Sequence, residues 1–253
     1  MLNSQEKTVL LEALDRLTPA QQLWVESIIL AFGMPRKFSR NPASDVISQE
    51  VLEHFGNQLI SHHANSRQAL SKDRFEFAFE TALVAAGTPA QLVKSRTNRG
   101  HDIDIGGVPT NLKTEAAANI REDVIHISKW MELGKGPWDI DFQRKQFLGH
   151  MSSYERIFML RRLKGTPTRI RYELVEIPKD LLLECETCEI EVCEGTTQSS
   201  KPAYVRVNER DGRQKYALYF DAGSERKLQV KALRKDLCVV HGTWQFGADI
   251  DLE

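Results

Sequence analysis

No apolar run in this 253-residue chain approaches the roughly 20 residues that cross a bilayer. The opening Met-Leu-Asn-Ser-Gln-Glu-Lys has neither the basic n-region nor the apolar h-region of a secretory signal. Both absences lead to the expectation of a cytoplasmic protein with no membrane partner. Cysteine is scarce: Cys185, Cys188, Cys193 and Cys238 are too few for a disulfide framework in a chain of this length, so reduced thiols are expected. Cys185-x-x-Cys188 with Cys238-x-x-His241 has zinc-site spacing, and structural zinc is kept as the alternative. Against it, the first pair falls in a segment that reads as a helix after Pro178, without a glycine-rich knuckle. Internal repeats and low-complexity tails are also missing.

A surplus of positive charge is missing as well. The 34 Lys+Arg and 35 Asp+Glu leave a net charge of −1, which does not by itself mark a nucleic-acid binder. The charge is segregated along the chain, however. Arg156, Arg161, Arg162, Lys164, Arg169 and Arg171 form one basic group, and Arg226, Lys227, Lys231, Arg234 and Lys235 form another. An acidic stretch from Glu176 to Glu194 lies between them. Segregation of this kind permits a basic cleft on a nearly neutral protein; the plainer alternative for either group is a solvated face.

What is present is the composition of a soluble globular chain, with 41% hydrophobic and 27% charged residues, long enough for one large domain or two small ones. Thr18-Pro-Ala-Gln21 is a capping box with proline at the first helical position, and the helix it opens runs to Gly33. Residues 36–44 read as a polar connector, a hinge or a loop. A helix is expected over about 48–55, with His62-His63 following in a loop or in the core. Ser71 caps a further helix that stops at Gly87 and Pro89. Phe75, Phe79, Ala82 and Leu83 form its apolar stripe, and Glu76 and Glu80 share a neighbouring face. Residues 124–128 read as a strand, 134–137 as a loop, 142–163 as a helix and 169–177 as a strand. Asp211-Gly212 marks a hairpin between strands at 203–207 and 215–220. The last strands fall at 228–232 and 238–241. Mixed elements of this kind imply an α/β or α+β fold, a central mixed sheet with flanking helices.

The densest chemistry lies between Gly100 and Glu115. Gly106-Gly107 supplies the positive φ that a two-residue hairpin turn requires. That turn sets Ile105 opposite Val108, Asp104 opposite Pro109, Ile103 opposite Thr110 and Asp102 opposite Asn111. Strand alternation then gathers Asp102, Asp104, Asn111, Lys113 and Glu115 on one face. Carboxylates on a rigid hairpin suit a hard cation such as Mg2+, and a lysine beside them can orient water or stabilise phosphate charge. An exposed hairpin with charged residues on its wet side is the bland alternative.

Helix and hairpin together resemble the PD-(D/E)xK nuclease superfamily. The Phe-Glu of that pattern is Phe75-Glu76, the Gly-x-Asp is Gly100-His101-Asp102, and the closing element is Asn111-Leu112-Lys113. Asn111 stands where a carboxylate is expected and offers only a neutral carbonyl oxygen. Glu76 or Glu80 then supplies the missing charge, with Glu115 a further option and Asp104 the alternative to Asp102. Ser95-Arg-Thr-Asn-Arg-Gly-His-Asp-Ile-Asp-Ile105, Leu112-Lys-Thr-Glu-Ala-Ala117, Ile125-His-Ile-Ser-Lys-Trp-Met-Glu-Leu-Gly-Lys-Gly136 and Glu225-Arg-Lys-Leu-Gln-Val-Lys231 are similar, in this order, to the SmaI type of restriction endonuclease. That similarity covers the chain from about Phe55 onward.

The resemblance implies a restriction-endonuclease-like core and Mg2+-dependent hydrolysis of double-stranded DNA by a homodimer. It also implies CCCGGG as target, cut blunt. Asp102, Glu76 and Asn111 (or the Leu112 carbonyl) would hold the metal, and Lys113 would position or deprotonate the attacking water. Lys129, Ser224, Arg226, Lys227, Gln229 and Lys231 are the candidate DNA contacts. The whole of 1–253 is read as one endonuclease domain, with a helical part at 1–55, a catalytic core at 71–165 and a β-rich recognition part at 166–253. Two other readings share the hairpin: a strand-nicking repair nuclease of the MutH type, and a catalytically inactive fold that only binds DNA.

Overall fold

A computed structural model of the chain describes residues 3–93, 100–118, 120–166, 168–195, 200–248 and 250. Residues 95–99 of the SmaI-type segment lie outside the described residues. In chain order the elements are α1 (Ser4–Asp15), α2 (Pro19–Phe32), β1 (Arg36–Arg40), α3 (Gln49–Asn65), α4 (Lys72–Ala85), β2 (Ala90–Leu92), β3 (Ile103–Ile105), β4 (Val108–Glu115) and β5 (Val124–Glu132). Then come α5 (Ile140–Met151), β6 (Arg156–Thr166), β7 (Arg169–Glu176), α6 (Lys179–Leu183), β8 (Ile190–Val192), β9 (Ala203–Asn208), β10 (Gln214–Asp221), β11 (Lys227–Arg234) and β12 (Val239–Gly247).

Two sheets result. One has seven strands in the order β1-β12-β7-β6-β4-β3-β2, the other five in the order β5-β11-β10-β9-β8. The seven-stranded sheet is mixed, because β4 and β6 run parallel while its other pairs are antiparallel. One of its faces is covered by α3 and α4. Phe55, Phe75 and Phe79 pack there on Leu112, Phe158 and Trp244, with Phe55 edge-on to Trp244 at 5.1 Å between ring centres. The opposite face meets the five-stranded sheet, α5 and α6 through Phe147, Met159, Val175, Leu182, Leu218 and Val230. The mixed α/β architecture expected from the sequence is therefore present. Among the described residues no helix is long and apolar enough to cross a membrane.

Local signals account for the elements around the site. The Ser71 hydroxyl caps α4 by accepting from the Arg74 N–H, and the Thr18 capping box opens α2 as expected. Gly106 and Gly107 have φ of 59° and 84°, and the β3–β4 register pairs Ile103 with Thr110, Asp104 with Pro109 and Ile105 with Val108.

Other expectations need correction. Residues 142–163 are not one helix: α5 ends at Met151 and β6 begins at Arg156. Ile157, Phe158, Met159 and Leu160 are all buried, because β6 is covered on both faces. A continuous apolar run of that kind has no period to separate strand from helix. Residues 36–40 are not part of a connector but an edge strand paired with β12; a strand open on one side tolerates a polar sequence. Helix α3 continues to Asn65 and carries His62 and His63 in its last turn. His63 Nε2 lies 2.9 Å from the Tyr172 hydroxyl, and burial pushes its pKa down to about 4.

Several members of both basic groups are taken up in ion pairs. Arg161 is wholly buried between Glu115 and Glu173 and also donates to the Arg121 and Val124 carbonyls at 2.6 and 2.7 Å. Removing one member of such a buried set strands the remaining charges, at a cost of about 3–5 kcal/mol. Arg156 pairs with Asp45 and Glu176, Arg171 with Glu122, Arg234 with Glu209 and Asp236, and Lys235 with Glu173. Much of the segregated charge of the sequence is thus paired, in good part with acids distant along the chain. The zinc alternative fails similarly. His241 is held between Ser44 and Glu176 at 2.7 and 2.8 Å, and among the described residues no three His, Cys, Asp or Glu side chains cluster as a metal site would need.

Candidate nuclease site

The hairpin and α4 meet at an open cleft. Lys72, Gly100, His101, Asp102, Asn111 and Lys113 line one side of it. The end of β5 and the residues just after it, from Trp130 to Gly134, and Gln146, His150 and Ser153 from α5 and the turn after it line the rest. Leu112 and Ile103 point to the opposite side of the sheet, into the α3–α4 core. The strand alternation that buries them is what aims Asn111 and Lys113 into the cleft.

Asp102 is fixed just before β3. Its N–H donates to the Thr110 carbonyl at 3.0 Å, and its Oδ2 accepts from the Leu112 N–H at 2.6 Å. The other oxygen, Oδ1, accepts from Lys72 Nζ at 2.7 Å. The same ammonium lies 3.3 Å from Glu76 Oε1. Lys72 and Glu76 occupy one face of α4, a turn apart, so a single cation bridges a hairpin carboxylate and a helix carboxylate. Burial, with the charge of Asp102 added, pushes the pKa of Glu76 up, against the pull of Lys72. The pKa of Lys72 is also raised, because the two carboxylates outweigh the cost of its burial.

Asn111 is 3% exposed. Its Nδ2 reaches the Gly100 carbonyl at 3.5 Å, while its Oδ1 is buried and accepts no hydrogen bond from the described residues. An oxygen left so is costly unless something else binds it. Lys113 is 8% exposed. Its Nζ donates to the Trp130 carbonyl at 3.3 Å and sits 5.1 Å from the centre of the indole ring. Burial, aided by the positive charge of Lys72, pushes the pKa of Lys113 down to about 8.

Several alternatives read from the sequence are placed elsewhere. Glu80 Oε1 accepts from the Leu92 N–H at 2.7 Å, so it holds β2 to α4. Glu115 is taken up by Arg161 and by the His126 N–H. Asp104 lies 3.2 Å from His101 and faces a separate hollow with Gln91, Gly106 and Gly107. The short β3 ladder, with the chain turning just ahead of it, separates Asp104 from Asp102 although the two share strand parity.

The candidate DNA contacts are dispersed. Lys129 is exposed on β5 and pairs with Glu132 at 2.7 Å, and Lys227 pairs with Glu225. Ser224 is exposed in the turn before β11. Arg226, at φ 40°, donates to the Gly136 carbonyl at 2.6 Å and lies over Trp138. It thereby ties down the loop beside the cleft. Gln229 donates to Asp221, and Lys231 lies 3.8 Å from the centre of the Tyr219 ring. Lys72, Trp130 and His150 were not among the site residues expected from the sequence. For Lys72 a signal existed: it precedes Glu76 by one helical turn.

The SmaI family model, type II site-specific deoxyribonuclease, matches residues 10–246. The type II restriction enzyme SmaI of Serratia marcescens is 46% identical over 216 residues, 85% of this chain and 87% of that protein.

Proposed function

Because this chain belongs to the SmaI family of type II site-specific deoxyribonucleases, we propose that the cleft beside the β3–β4 hairpin is where it hydrolyses DNA, with Mg2+, at CCCGGG and with blunt ends. The observation that carries the site is the bridged pair Asp102 and Glu76 beside the buried, unclaimed Asn111 Oδ1. Two carboxylates and one neutral oxygen are a hard donor set and fit Mg2+. Bound there, the ion would neutralise phosphate charge and make a bound water more acidic.

The rest of the chemistry belongs to the chain. Asp102 and Glu76 supply the negative charge. The Leu112 N–H holds the Asp102 carboxylate in one orientation. Lys113, buried and with its pKa drawn toward neutrality, orients the attacking water and takes its proton. As the water oxygen bonds to phosphorus, the bond from phosphorus to the 3′-oxygen breaks, and that oxygen leaves and takes a proton from solvent water. We read 1–253 as one endonuclease domain, acting in the cytoplasm on double-stranded DNA. Target readout is assigned to Lys129, Ser224, Arg226, Lys227, Gln229 and Lys231; β5 pairs with β11 and its end lines the cleft.

Cutting both strands of a two-fold site calls for two clefts related by the same symmetry, so a homodimer is proposed. Helix α1 buries no residue, and α1 and α2 expose Leu10, Leu11, Leu23, Trp24, Ile29 and Leu30. A second copy is the occupant assigned to this face. Plasmid carrying one CCCGGG site tests both parts of the reading. The wild-type protein should linearise it with blunt ends in Mg2+. Leu23→Glu with Trp24→Glu should sediment as a monomer and yield mainly nicked circles. No cleavage at CCCGGG would overturn the target, and a double variant that still sediments as a dimer would overturn the interface.

A further inference from the structure

We propose that Lys72 is a built-in competitor for the metal: its ammonium holds the place between Asp102 and Glu76 that the divalent ion takes, and entry of the ion requires Lys72 to leave. This inference rests on the proposed metal site and adds to it a residue outside the ligand set.

The geometry is that of a counter-ion. One Nζ lies 2.7 Å from Asp102 Oδ1 and 3.3 Å from Glu76 Oε1, on carboxylates from two different elements. Without a cation between them these two acids would repel each other. The Asp102 oxygen that Lys72 contacts is the one that carboxylate keeps for a metal. Asp102 Oδ2 is already committed to the Leu112 N–H, so Oδ1 cannot serve the ammonium and the ion fully at once.

The anchors differ in freedom. Asp102 is tied into the hairpin at its N–H and its Oδ2. Lys72 begins α4, and its side chain keeps 40% exposure on a flexible four-carbon stem. It can turn into the open cleft it lines, where the phosphates of DNA offer it a new partner. Lys113 cannot replace it, because its Nζ is held at the Trp130 carbonyl. A lysine that only stabilised the fold would leave metal affinity unchanged or, by preorganising the acids, raise it. A competitor lowers it.

Mn2+ binding to the DNA-free protein, read by electron paramagnetic resonance of the free ion, separates these cases. Lys72→Met keeps the apolar stem and removes the charge; Lys72→Gln is the second variant should the first fold poorly. Both should bind Mn2+ about tenfold or more tightly than the wild type, the effect of removing a unit charge a few ångströms from the ion. In EDTA both should melt below the wild type, and added Mn2+ should raise their melting temperatures further than it raises the wild type's. Unchanged or weaker Mn2+ binding in the variants overturns the competitor role. Asp102→Asn distinguishes that failure from a failure of the site itself. If Asp102→Asn weakens Mn2+ binding while the Lys72 variants do not strengthen it, the site stands and the competitor role falls. If Asp102→Asn leaves Mn2+ binding intact, both fall.

Discussion

Asp102→Asn should cost at least about a thousandfold in Mg2+-dependent cleavage, because it removes one of the two charges available to the ion. The asparagine is chosen over alanine for a structural reason. Its Oδ1 can still accept from the Leu112 N–H, which Asp102 does at 2.6 Å. Alanine would leave that donor without a partner and add a stability loss of about 1–3 kcal/mol. DNA binding measured in Ca2+ should survive, since it is spread over many phosphate contacts. Asp104→Asn is the matched control two residues on; Asp104 faces His101 and a different hollow and should cut normally. Full activity in Asp102→Asn, or loss in Asp104→Asn instead, would move the site.

Lys113→Met should lower single-turnover cleavage by about a hundredfold or more, the usual worth of a positioned proton acceptor. Its melting temperature should stay level or rise. Lys113 is almost fully buried, and burial already draws its pKa down to about 8, so the folded state loses little when that charge goes. Methionine keeps the stem against Trp130 and needs no hydrogen bond. A melting-temperature drop that parallels the activity loss would mark Lys113 as a structural residue. Near-normal cleavage would mark it as a bystander.

Much of the site was legible because short-range rules governed it. A two-residue Gly106-Gly107 turn sets the β3–β4 register on its own, and an N-cap with a glycine stop bounds α4. What the sequence left open was settled by contacts between distant residues. Glu76 and Glu80 share a face of the helix, and it is a distant residue, through the Leu92 N–H, that takes up Glu80. Glu115 shares strand parity with Lys113, yet Arg161, on the neighbouring β6, claims it. The basic run from Arg156 to Arg171 suggested a cleft because its partners, Asp45, Glu115, Glu122 and Glu173 among them, lie far from it in the chain or on a paired strand. The boundary between α5 and β6 was hidden for another reason. A strand buried on both faces carries no alternation to read.

The helix acid can be resolved by one further comparison. Glu76→Gln should cripple cleavage, whereas Glu80→Gln should only loosen β2. Asn111→Ala should cost less than Glu76→Gln, because it removes a neutral donor rather than a charge.

The most direct measurement is anomalous X-ray scattering from crystals of this protein soaked in Mn2+. One peak is expected within coordination distance of Asp102 and Glu76, with Asn111 Oδ1 turned toward it and Lys72 Nζ displaced from between the carboxylates. A peak in the hollow beside Asp104 and Gln91, or none near Asp102, would contradict that placement.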